Sequence, residues 1–279
     1  MNKQAMRAYI PRDPRLYQIV FLGALLSLGV VLRDFALQPA QMLLAFGAGL
    51  GAQIFWLRAL RIEKAGYLSA FITCFGLSIL LRADSLWVHP LAAALAISSK
   101  FIVRIGGKHV FNPANVGVIG ALLLLPGAWV SPGQWGNDLA YAAWFVVLGC
   151  LVTNKARRWD ISWMFLVTYL GLLAARVLWL GQSWSVLGHQ MQSGALLLFC
   201  FFMISDPMTI PDHPRARLLY AALVATLSFG WQFWLFRPNA LIWALFIASP
   251  LVPLIDRRWQ AQRFDWARAQ LGQNFSARQ

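Results

Sequence analysis

The chain has 279 residues, of which 59% are hydrophobic and only 12% charged, with a mean hydropathy of +0.59. That balance excludes an ordinary soluble domain, whose core cannot absorb so much apolar surface. The net charge of +14 accompanies this hydrophobicity, so it reads as an orientation signal, and nucleic acid is not an expected partner.

In chain order, a basic N-terminus at 1–15 precedes an apolar run from Leu16 to Leu32. This run lacks a small-residue cleavage site and is followed by many similar ones, which predicts a retained first span and not a removable signal peptide. Further runs lie at Ala40 to Leu57, Gly66 to Leu81, Leu86 to Val103 and Pro113 to Gly127. The second half adds Leu139 to Val152, Ile161 to Leu180, Gly194 to Ile204, Leu218 to Phe236 and Ala240 to Ile255. At about 20 residues per bilayer crossing, these runs predict roughly ten spans, several of them short. The expected fold is all-α: a polytopic integral membrane protein with a single transmembrane domain over residues 1–279. Its two halves are 16–132 and 133–256, followed by a basic tail at 257–279.

Ten alternating spans place both termini on one side, and the basic residues test this. One side collects Lys3, Arg7, Arg12, Arg15, Arg58, Arg61, Lys64, Lys100, Arg104, Lys108, Lys155, Arg157, Arg158, Arg215, Arg217, Arg257, Arg258, Arg263, Arg268 and Arg278. The other receives only Arg33, Arg82, Arg176 and Arg237, so the 24 basic residues divide 20 to 4. Both termini are expected in the cytoplasm, in a bacterial inner membrane.

Each half carries a polar break followed by an aromatic-x-proline break. Asp84 and Pro90, then Phe111 and Pro113, are echoed by Asp206 and Pro211, then Phe236 and Pro238. With five helices per half the repeat is inverted. Asp206 follows the apolar string LLLFCFFMI and precedes Pro207, so it reads either as a helix cap or as part of a polar pocket made from broken backbone. The segment SKFIVRIGGKHVFNPAN gathers Lys100, Arg104, Lys108, His109, Asn112 and Asn115 around two glycines and Pro113. Such a loop suits an anion at the next helix's N-terminus. It is not a phosphate loop, since no glycine lies five positions before Gly107 and His109 replaces the Ser or Thr. Cys74, Cys150 and Cys200 stand singly, so no iron–sulfur or zinc ligand set exists and no metal is expected. His89 and His189 do not share a helix with a second histidine, which argues against haem.

The strings KHVFNPANVGVIGALLL, LLLFCFFMISDPMTIPDHPRARLLYAALVA and PLVPLID resemble a family of membrane proteins. It comprises RnfD of the Rnf electron-transport complex and NqrB of the sodium-pumping NADH:quinone reductase. The resemblance covers roughly Lys100 to Asp256. It implies ten helices in two related five-helix halves, a flavin (FMN or riboflavin), and a place among other membrane subunits of a redox complex in the lipid bilayer. Family members with covalent FMN attach it to the threonine of an S/T-x-A-T loop. Here the nearest string is Ser193-Gly194-Ala195-Leu196, with leucine at the acceptor position, so covalent FMN is not expected and a noncovalent flavin is. The pocket is expected where FNPAN and SDPMT converge, lined by Lys108, Asn112, Pro113, Asn115, Asp206, Pro207, Thr209, Arg215 and Arg217. The competing function is a non-redox permease or accessory protein moving a small solute or ion between the two halves.

Overall fold

The computed structural model describes residues 13–32, 38–62, 66–130, 146–151, 153–154 and 158–264. Lys3, Arg7, Arg12, Arg33, Lys64, Lys155, Arg157, Arg268, Arg278 and the first part of the run Leu139 to Val152 lie outside these residues.

The first half consists of α1 (Pro14–Leu32), α2 (Pro39–Ala59), α3 (Leu68–Leu80), β1 (Leu81–Ala83), α4 (Val88–Ile102), β2 (Arg104–Ile105), β3 (Lys108–His109), α5 (Pro113–Leu124) and β4 (Ala128–Val130). A helical stretch at 146–151 leads to α6 (Trp159–Trp179), α7 (Ser185–Met191) and α8 (Gly194–Leu198), which continues as one π-helical turn at Phe199–Met203. The chain then forms α9 (Pro214–Phe233), α10 (Ala240–Ala248) and α11 (Leu251–Arg258).

Where the ten predicted runs are described, they fall largely on helix. Their lengths differ from the hydropathy pattern. By length and composition, α2 and α6, at 21 residues each, are long and apolar enough to cross a membrane. Two bent pairs reach that length if each is one span: α7 with the helix ending at Met203, bent by 45°, and α10 with α11, bent by 46°. In contrast, α3, α4 and α5 have 13, 15 and 12 residues, so α5 is only about 18 Å long. The reason is local. Pro250 at the α10–α11 junction has no N–H to continue the helical ladder, and Asn112 with Pro113 starts α5 late.

Two short antiparallel pieces interrupt the all-helical expectation. β1 pairs with β4 in the register Leu81↔Val130, Arg82↔Trp129 and Ala83↔Ala128. β2 pairs with β3 as Arg104↔His109 and Ile105↔Lys108 around a two-residue turn. Gly106 and Gly107 make that turn with φ of 60° and 86°, the left-handed geometry that a tight hairpin needs and glycine supplies without strain.

The core is close-packed through small residues. A Cβ on Gly117 of α5 would lie 2.8 Å from the Ala92 carbonyl and 2.9 Å from the Ala96 Cβ of α4. On the outer faces the pattern inverts: Val31, Leu43, Leu124 and Trp179 are each more than 70% exposed, as suits a surface facing hydrocarbon. Buried inside α3 to α5 are Ser78, His89 and Asn115. Arg82 is buried beside them and donates to the carbonyls of Ser78 (2.9 Å) and Leu81 (2.7 Å).

Candidate functional site

One end of the bundle gathers the β2–β3 hairpin, the start of α6, the loop between Met203 and Pro214, and the C-terminal end of α11. At this end Lys108, on the hairpin, reaches three acceptors at once. Its ammonium donates to the Ile210 carbonyl at 2.6 Å and to Asp256 Oδ2 at 2.9 Å, and lies 3.2 Å from Asp212 Oδ2. Asp256 in turn accepts from the Asp212 backbone N–H at 2.9 Å. The cation is therefore held between two carboxylates, and the hairpin is tied to both chain segments of the second half.

Asn112 caps α5: its side-chain oxygen accepts from the Asn115 N–H at 3.2 Å, with Pro113 in the first helical turn where no N–H is needed. Its amide donates across to the Met203 carbonyl at 3.4 Å, at the end of the π-helical turn. Asn115 is fully buried and donates to the Ile242 carbonyl of α10 at 3.1 Å. Phe111 stacks on Phe246 with centroids 4.8 Å apart. FNPAN is thus the seam between the two halves of the chain.

Across the seam, Asp206 organises the helix break. Its Oδ1 accepts from the Met208 N–H at 3.0 Å, and its carbonyl accepts from both the Thr209 N–H (3.1 Å) and hydroxyl (3.2 Å). This is a local side-chain-to-backbone turn of the kind aspartate favours, followed by Pro207, which cannot extend a helix. His109 Nε2 lies 3.6 Å from Asp206 Oδ2. Behind the loop, buried Arg217 forms a fork on Asp160, with Nε at 2.8 Å and the terminal nitrogen at 2.7 Å from Oδ2, and donates to the Asp212 carbonyl at 2.7 Å. Arg158 is buried nearby. Desolvation and the neighbouring Arg217 charge pull its pKa down to about 10 against the attraction of Asp160, Asp212 and Asp256, which leaves it a cation at neutral pH.

The C-terminal segment straps this end. Phe264 is buried, its N–H donates to Asp212 Oδ1 at 3.4 Å, and its ring lies 5.1 Å from the Arg158 guanidinium carbon. Trp259 meets His213 edge to face at 5.4 Å. Between the strap, α11 and the hairpin lies an open cleft of about 530 Å³.

The structure brings together Lys108, Asn112, Pro113, Asn115, Asp206, Pro207, Thr209 and Arg217, as the sequence pattern predicts. Arg215 is exposed outside this network. The residues converge but do not form an open pocket. Lys108 and Arg217 are committed to carboxylates, and Asn112, Asn115 and Thr209 are buried with protein partners. The nine residues therefore do not fit a flavin phosphate. Sequence reasoning missed Asp160, Asp212 and Asp256 as the anions of the site. A signal existed, since they are three of only ten acidic residues and fall in the loops most crowded with Lys and Arg. Ser193-Gly194-Ala195-Leu196 forms the start of α8, with Ser193 as cap and Leu196 buried. Thr153 and Thr209 are each 1% exposed.

Residues 131–265 match the sequence model of the NQR2, RnfD, RnfE family. Over 130 residues the chain is 35% identical to the RnfD protein of the ion-translocating oxidoreductase complex of Salmonella arizonae. The corresponding proteins of Salmonella newport and Salmonella dublin give the same identity, in each case over 44% of this chain and 34% of the relative. The aligned part spans about a third of the length of these curated relatives. The resemblance carried by SDPMT and PLVPLID is therefore shown in the second half, while FNPAN lies outside the matched residues.

Proposed function

We propose that this chain, which carries the NQR2, RnfD, RnfE pattern through its second half, is a membrane subunit of an ion-translocating oxidoreductase assembly. The supporting observation is that the matched region contains SDPMT and PLVPLID, and that these segments meet FNPAN in one hydrogen-bonded network. Ten helical passes in two five-helix halves, with both termini at the cytoplasmic face of a bacterial inner membrane, accord with the 20 to 4 division of basic residues. Within the described residues, Lys108, Arg158 and Arg217 cluster at a single end. In such an assembly the chain works through other membrane partners and is not an independent catalyst.

A flavin in this reading is noncovalent, because leucine stands at the acceptor position and Thr153 and Thr209 are buried. Since the groups around Lys108 and Arg217 are committed internally, the cofactor is held by other groups of this chain or at its contacts with partner subunits. When bound, a flavin supplies one- and two-electron transfer. The chain's own contribution is a rigid seam between halves, fixed by Asn112, Asn115 and Lys108.

The test is purification of the tagged chain from native membranes in mild detergent. The reading expects other membrane subunits to co-purify and a flavin absorption band that denaturation releases into the filtrate. A chain that purifies alone and colourless, yet moves a solute in vesicles, would establish the permease instead.

A further inference from the structure

The cleft beneath the C-terminal strap is lined by Lys108, Asp212, Asp256, Arg257 and Arg263, with Gly106 at its hairpin edge. Three of these side chains are consumed: Lys108 is held by the two carboxylates, and Asp212 and Asp256 also accept backbone N–H groups. Arg257 and Arg263 are different. Both are exposed, and among the described residues neither makes a hydrogen bond or ion pair. Arg263 lies flat against the hairpin turn: a Cβ on Gly106 would sit 3.2 Å from one of its terminal nitrogens, and one on Gly107 would sit 3.6 Å from the other. The glycine pair thus gives the guanidinium a side-chain-free seat at the mouth of the cleft.

Charge points to the ligand class. Three cations against two carboxylates leave the lining with a net charge of +1, and the uncommitted part of that charge is two planar forks. Guanidinium forks match the paired oxygens of phosphate. A volume of about 530 Å³ is within the range of small-molecule pockets and larger than a bare oxyanion requires. We propose that this cleft binds a phosphate-bearing molecule, through Arg257 and Arg263, with Lys108, Asp212 and Asp256 as its rigid wall. The phosphate comes either from a soluble organophosphate or from an anionic lipid headgroup, since the cleft is open at the bundle end. Such binding requires neither a flavin nor membership of a complex.

The experiment uses the full chain in nanodiscs of phosphatidylcholine, titrated with inorganic pyrophosphate by calorimetry. It is repeated with part of the lipid replaced by phosphatidylglycerol. Arg257→Gln and Arg263→Gln are compared with Arg258→Gln, an exposed neighbour of the same charge outside the cleft. Pyrophosphate is expected to bind, and each cleft variant to weaken it by about tenfold, the loss of one set of charge-assisted hydrogen bonds. Arg258→Gln is expected to leave binding nearly unchanged. If phosphatidylglycerol competes with pyrophosphate in an Arg263-dependent way, the source is lipid; if it does not, the source is soluble. The proposal is overturned if pyrophosphate does not bind, or if Arg258→Gln weakens it as much as the cleft variants do, which would mean a diffuse basic surface.

Discussion

Arg217 and Asp160 show how a residue named for ligand binding becomes a structural tie. The guanidinium is 6% exposed and the carboxylate 21%, and the arginine also satisfies the Asp212 carbonyl. Replacing Arg217 by Met leaves Asp160 without its partner. Breaking a fully buried pair costs about 3–5 kcal/mol, so about 2 kcal/mol is expected here because Asp160 still reaches water. Thermal unfolding in detergent should show this as a lowered midpoint, and the double variant Asp160→Asn with Arg217→Met should recover part of it. Asp206 gives a second test. Asp206→Asn keeps the oxygen that accepts from Met208, whereas Asp206→Ala removes it. The expected ordering is a small loss for Asn and about 1 kcal/mol for Ala, and equal losses would point to the charge facing His109 instead of the turn.

At the level of elements, glycine separates packing from mere permissiveness. Gly117 lets α5 lie against the Ala92 and Ala96 ridge of α4, a close approach of small residues typical of helices in membranes. Gly117→Val should therefore cost more than about 2 kcal/mol by overpacking, read as reduced yield of folded protein and a lower melting midpoint. Gly171 of α6 has no atom within 4 Å of an added Cβ. Gly171→Ala should hold or raise stability, by up to about 1 kcal/mol of helix propensity. A loss at Gly171 as large as that at Gly117 would show that the helix faces are assigned wrongly.

For the whole molecule, the outward apolar faces and the polar seam between halves describe a protein turned toward lipid. The basic loops gathered at one end predict that reporters active only in the cytoplasm work when fused to either terminus. The complementary reporter, active only outside, should be silent at both. Activity of the outside reporter at one end alone would require an odd number of crossings and would undo the 20 to 4 assignment.

The sequence by itself determined the class of molecule, the placement of its helical runs and the convergence of FNPAN with SDPMT. Those rest on local quantities: hydropathy over about 20 residues, the charge of each loop, and proline and asparagine at helix starts. Ten equal spans were not legible, because a run's apolar length does not say where a π-helical turn or Pro250 will bend it, or where a strand pair will replace a last helical turn. Nor did the sequence show that Lys108 and Arg217 were already neutralised. Asp160 lies 57 positions from Arg217, and Asp256 lies 148 positions from Lys108, and only folding brings such distant loops to one end. Ion pairing depends on separation in space, so a cation that reads as free along the chain became a wall in the structure. Arg257 and Arg263, which read as mere orientation signals, were left as the open donors.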